Sequence, residues 1–254
     1  MKLIYKTYFF NCIFLLFINC EIDKAKDCLG ASDKSVTKEI TADEFDKIIV
    51  LDDINLVIKQ GNEQKISLTT AENYADYVRA FTEDNTLILK NELDCELTKT
   101  YNKTFITITT NQLSYLKNGS NKTIQSQGIL SFPKITLVSE SEAMDREIYR
   151  IGDFNLTLNT QTLSIRSNGK SNFFLTGNTI NADINILEDD SRIVAENLEV
   201  ENATVFHRGT NHLFLNVQNS ITGEMRSTGN IYLSGNPSVI DVKQLFKGKL
   251  IKQE

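Results

Sequence analysis

Pairs of apolar residues recur through the last third of the chain at a nearly fixed step. Phe173-Phe174, Ile193-Val194, Leu213-Phe214 and Ile231-Tyr232 follow one another at about 20, 20 and 18 residues. Each is preceded by a polar stretch: 167–172, 188–192, 207–212 and 226–230. A step near 20 residues is the length of one coil of a β-solenoid, and one coil cannot bury its own apolar face. The pattern predicts stacked parallel coils, each the template for the next. Upstream, apolar and polar positions alternate over 45–50, 54–61, 65–70, 86–89 and 105–109, the period of two expected of half-buried strands. Residues 71–81 depart from it: Tyr74, Tyr77, Val78 and Phe81 fall at i, i+3, i+4 and i+7, one face of a short helix. Beyond them come strands at 113–116, 123–125, 135–138 and 154–158, a polar turn over 117–122, and a charged excursion or short helix over 140–150. The expectation is an all-β domain, a parallel β-solenoid of β-helix type, with one short helix near its N-terminal end.

The N-terminus follows a different pattern. Lys2 and Lys6 precede an apolar run from Tyr8 to Ile18, the charged and apolar regions of an export signal. The run is too short to span a bilayer, which takes roughly 20 apolar residues. It stops at Phe17-Ile18-Asn19-Cys20, which resembles a bacterial lipobox; an uncleaved anchor or an ordinary signal peptide is the alternative. The division predicted is a lipoprotein signal peptide over 1–19, a polar tether over 20–40 and the solenoid domain over 41–254, with lipidation at Cys20. Cys12 then leaves with the signal, and Cys28 and Cys95 remain as an even pair in an oxidising setting. A disulfide between them would close a loop of nearly 70 residues and contribute on the order of 4 kcal/mol; two free thiols are the alternative.

Composition narrows the partners. A formal net charge of −6 leaves no basic footprint, which excludes nucleic acid. Two prolines suit long ladders, because proline cannot donate to them. With no Trp, the broadest platform for a sugar ring is missing.

Three stretches carry a family likeness. The paired strands 45–50 and 56–61 look like an opening signature, and Asn85-Thr86-Leu87-Ile88-Leu89 like a third element. The Gly-containing turns end in Gly229-Asn230-Ile231-Tyr232-Leu233-Ser234-Gly235-Asn236-Pro237, similar to a closing Tyr-x-x-Gly-x-Pro feature. Together they resemble the putative auto-transporter adhesin head domain, the GIN domain, of Bacteroidetes-type lipoproteins. The family's usual Gly-Ser-Gly turns are replaced here by Asn168-Gly169-Lys170, Asp189-Asp190 and Arg208-Gly209-Thr210. The resemblance implies a solenoid-like lipoprotein head with no assigned chemistry, and the family's name implies adhesion.

Candidate chemistry is sparse. His207 and His212 flank one turn with Asn211, too few ligands for a zinc site, and read as solvated turn histidines. Asp52-Asp53 and Glu188-Asp189-Asp190 offer oxygen ligands of the kind calcium takes, but read as charged loops. No nucleophile elbow, phosphate loop or zinc-protease helix is present. Stacking would align Asn168, Asp190, Thr210 and Thr228, one per coil about 4.8 Å apart, as a structural ladder or a polar face for a partner. The function expected is a non-enzymatic envelope lipoprotein, an adhesin or binding module, with no cofactor and no metal. Its partners would be the outer membrane through the Cys20 lipid and a glycan or surface protein, on the cell-surface or periplasmic side. The alternatives are a structural or assembly component and a polysaccharide-active β-helix enzyme.

Overall fold

A computed structural model describes residues 34–93, 104–141 and 148–253. The expected signal peptide, Cys20, the Cys28–Cys95 bridge and the first part of the tether lie outside the described residues. Among the described residues seventeen strands make one continuous sheet: β1 (Ser35–Ile40), β2 (Lys47–Asp52), β3 (Asn55–Gln60), β4 (Lys65–Ala71), β5 (Val78–Glu83), β6 (Thr86–Asn91), β7 (Phe105–Thr110), β8 (Tyr115–Ser120) and β9 (Ile124–Leu130). They continue as β10 (Lys134–Ser139), β11 (Phe154–Ser167), β12 (Asn172–Ile186), β13 (Arg192–His207), β14 (Leu213–Met225), β15 (Ile231–Ser234), β16 (Val239–Gln244) and β17 (Leu250–Lys252).

The sheet winds into two faces. Face A stacks β2, β8, β10, the second halves of β11 to β14, and β16, all parallel. Face B stacks β3, β9, the first halves of β11 to β14, β15 and β17, again parallel. One inward column on face B runs Leu56, Ile124, Phe154, Phe173, Ile193, Leu213, Ile231, Leu250 in pairing register. The steps of about 20, 20 and 18 residues are therefore coil heights. Alternation places every second side chain of a strand inside, and all of the column but Leu250 is buried. Phe154 and Phe173 stack within it, centroids 4.7 Å apart and planes 7° off parallel. The step shortens where β13 and β14 pair: three extra residues of β13 separate Ala195↔Leu215 from Glu199↔Asn216. Close approach between coils requires glycine at several positions, Gly177 and Gly223 among them. Gly223, at φ +130°, would put a Cβ 2.0 Å from the Val205 carbonyl oxygen of the coil below.

The N-terminal end, the head, is built otherwise. After β3 the chain leaves the stack, and β6 and β7 pair parallel with the outer sides of β2 and β3. Antiparallel strands then close both faces, β5 on β6 and β4 on β7, with β1 outermost on β4.

Three expectations are corrected here. The helix predicted over 71–81 is a 3-10 helix of six residues, Glu72–Tyr77, and Val78 and Phe81 belong to β5. Asp84 and Asn85 both adopt positive φ (46° and 61°), the turn that joins two strands tightly, so ladder bonds to β6 replace the helix. Residues 35–40, expected in the tether, form β1: an edge strand with no buried residue leaves no apolar signature. The turn expected over 117–122 begins only after β8, because Asn118 and Ser120 are fully buried polar residues. Asn118 Nδ2 donates to the Lys122 and Asp153 carbonyls, and its Oδ1 accepts from the Ser120 amide and hydroxyl.

Candidate binding face

Each coil turns between face A and face B at a polar corner, and the corners stack. Buried serines hold them: Ser139 and Ser171 hydroxyls meet at 2.6 Å, as do Ser167 and Ser191. Ser167 also reaches the Ser139 carbonyl, and Ser191 donates to that of Gly169 at 2.7 Å. Each turn carbonyl bound this way keeps a partner without water. The sequence signal was present, inward serines at 139, 167, 171 and 191 beside the earlier turns, but a lone serine gives no hydrophobic contrast.

His207 occupies the same corner, in the inward column Ser139, Ser167, Ile186, His207, Met225. It is fully buried, not the solvated turn histidine expected, because strand parity carries it inward. Its Nε2 lies 3.1 Å from the Asn211 carbonyl, so Nε2–H donates, and Nδ1 has no partner among the described residues. Burial lowers its pKa to about 4; the Asn211 carbonyl opposes the shift, and neighbouring His212 adds to it. His212 faces the other way, its Nδ1 accepting from the Asn230 amide at 3.1 Å. The two imidazoles share no site, and among the described residues no group of three or more His, Cys, Asp or Glu could hold a metal ion.

The acidic pairs are also spent locally. Asp52 accepts from the Asn91 amide and Asp53 lies 3.6 Å from Lys122. Glu188 sits 4.0 Å from Arg150, and Asp190 accepts from the Thr210 hydroxyl at 2.8 Å. Within the row Asn168, Asp190, Thr210 and Thr228, only the middle two bond to each other. Asn168 turns back to the previous coil, exchanging bonds with the Ser141 backbone.

The outer surface of face B carries a feature that the sequence reading missed. One outward column runs Gln125, Asn155, Phe174, Val194, Phe214, Tyr232, Ile251 in register. It is polar toward the head and apolar from Phe174 onward, with Phe174 41% and Ile251 38% exposed. Phe214 and Tyr232 stack at 4.9 Å and 9°. The Arg192 guanidinium lies 4.8 Å over Phe214, and His212 meets both rings edge-on. The stacked rings cover one another and present edges outward. A sugar ring needs an open aromatic face, so this ridge suits an apolar protein surface better than a glycan. The signal was the second residue of each recurring pair, which strand parity turns outward.

Comparison with known proteins follows from this geometry. The sequence model of the family described as "Putative auto-transporter adhesin, head GIN domain" matches residues 44–237. Among solved structures, a putative adhesin from Bacteroides fragilis NCTC 9343 superposes with a TM-score of 0.76 at 21% identity, over 88% of this chain and 99% of that one. A putative adhesin from Parabacteroides merdae ATCC 43184 gives 0.58 at 20%, over 88% and 98%. A structure described as a putative lipid binding protein, from Parabacteroides distasonis ATCC 8503, gives 0.56 at 13%, over 88% and 98%. At these identities the structures share the fold. None of the curated proteins compared matches the chain.

Proposed function

Because the chain belongs to the auto-transporter adhesin head GIN domain family, we propose that it is a non-enzymatic, adhesin-type binding module of the cell envelope. It is held to the outer membrane by a lipid on Cys20, with Cys28 and Cys95 bridged. Its contact surface is the ridge of face B, and its partner is the apolar surface of another protein. The observation that carries this reading is the outward apolar stripe from Phe174 to Ile251 on a coil stack, exposed at both ends and half-buried at Val194, Phe214 and Tyr232, since contiguous apolar patches on a solenoid mark contact surfaces. Arg192, His212, Asn230 and Lys249 flank it on the preceding outward position, an apolar centre with a polar rim.

Protease shaving of intact cells tests the placement, with Cys20→Ala as the control for anchoring. Loss of the protein without permeabilisation is expected, and a Phe174→Asp strain with wild-type protein level then attaches to target cells less well. Protection until the outer membrane is opened would rule out adhesion. An assembly role is the second reading, favoured by the edges of β16 and β17 that have no partner strand among the described residues.

A further inference from the structure

The C-terminal end of the solenoid, the tail, is open. Among the described residues β16 pairs only with β14 and β17 only with β15, so each leaves one edge unpaired there. The core column stops uncovered: Ile240 stacks on buried Ile221 yet is 37% exposed. The turn after β16 projects Leu245 and Phe246, 53% and 55% exposed. Lys243, Lys247, Lys249 and Lys252 surround that turn, all exposed and none in an ion pair among the described residues. Four unpaired lysines against one exposed carboxylate on β16, Asp241, leave a localised positive end on a chain with a net charge of −6.

The head mirrors this. β5 and β1 are its outer strands on faces A and B, each paired on one side only among the described residues. Asp43, Glu44, Glu83 and Asp84 are exposed there, none in an ion pair among the described residues. Between them a groove of about 370 Å³ is lined by Thr41, Ala42, Asp43, Ala80, Phe81 and Thr82.

We propose that the tail of one copy docks on the head of a second copy, coil axis along coil axis. Leu245 and Phe246 enter the groove at Ala42, Ala80 and Phe81, and the four lysines face the four carboxylates. For copies related by translation, β17 meets β1 of the next copy parallel and continues face B, the longer face by one strand. On face A the Leu245-Phe246 turn, instead of a β16–β5 pair, fills the remaining space, and the edges of face B find partners. Tail-to-tail pairing is disfavoured, because it sets eight lysines against one another. The contact is heterologous, so copies add in series instead of closing as a pair. This inference does not rest on the ridge of face B as a contact surface.

Sedimentation velocity on the full chain tests it with two surface variants. The tail variant is Leu245→Ser with Phe246→Ser; the head variant is Asp43→Lys, Glu44→Lys and Glu83→Lys. The wild type should associate with rising concentration and dissociate with rising salt. Each variant alone should lose association at least tenfold, and an equimolar mixture should form 1:1 pairs through the intact end of each. A mixture that stays monomeric while the wild type dimerises would overturn the proposal in favour of a tail-to-tail contact. So would a wild type that stays monomeric and instead sediments with phosphatidylglycerol vesicles through Leu245 and Phe246.

Discussion

The two ends of the solenoid treat the same edges differently. A stack of parallel coils leaves unpaired strands and an open core at either end. At the head the chain folds back on itself: β4 and β5 reverse direction, β1 covers β4, and the 3-10 helix brings Tyr74 into a small second core with Ala71 and Leu93. At the tail the last described coil ends on its own edges, with Leu250 and Ile240 part-covered. The difference teaches where stability resides. The head is held by pairings that reach across the chain, whereas each tail coil leans only on its neighbours.

Interrupting the stack gives the largest expected effect. Phe173→Ala removes one of two rings stacked at full burial and should cost about 3–5 kcal/mol. Hydrogen exchange should then rise in β12 to β17 while β2 to β7 keep their protection. Equal loss of protection in the head would show one cooperative unit and erase the contrast.

Acid should act on the same side. Both histidines of the chain lie in the C-terminal part of the stack, at the corner between β13 and β14. The folded pKa of His207, about 4, is below the ordinary 6.5, so between those values the unfolded chain binds more protons. Stability therefore falls as pH drops from about 6.5 to about 4, by up to roughly 3 kcal/mol, and this contribution is flat above 6.5. His207→Met, matching Met225 one coil on, should flatten that part of the slope. Urea midpoints at pH 7 and 4.5 for both proteins would measure it; identical slopes would mean that His207 is not the group responsible.

The contrast also explains what could be read from the sequence. The coils were legible because each inward position repeats against its own kind, so the steps from Phe173 to Ile231 give the stacking register directly. The head was not. β1 buries nothing, and the spacing of Tyr74, Tyr77, Val78 and Phe81 fits a helix until the Asp84-Asn85 turn commits the segment to a hairpin. The buried corner was hidden too, since Asn118, Ser167 and His207 are inward by parity and polar by type. The outward ridge is visible in the sequence as the second residue of each recurring pair, which only strand parity separates from its inward neighbour.

Close packing between coils predicts a smaller effect. Gly223→Ala, with its Cβ against the Val205 carbonyl, should cost about 1–3 kcal/mol beyond the cost at Gly128. That glycine also has positive φ, but a Cβ there meets nothing within 4 Å. Denaturation of the two variants side by side separates backbone strain from collision. Equal losses would mean that the coils have room to part.

The smallest effects lie along the corner row, and they divide it. Asn168 is tied to the Ser141 backbone by two bonds, and its carbonyl accepts from Arg150 at 2.8 Å, so Asn168→Ala should cost about 1–2 kcal/mol. The Thr210 hydroxyl makes only exposed bonds, to the Asp190 carboxylate and the Asp189 carbonyl, and Thr210→Ala should cost under about 0.5 kcal/mol. Thr228 is exposed at the tail, and its removal should fall within the error of a urea melt. That gradient would make the row a ladder near the middle of the stack and free surface toward the tail. A uniform cost along the row would instead mean that the polar ladder holds every coil alike, and that the difference between the ends resides only in the strands.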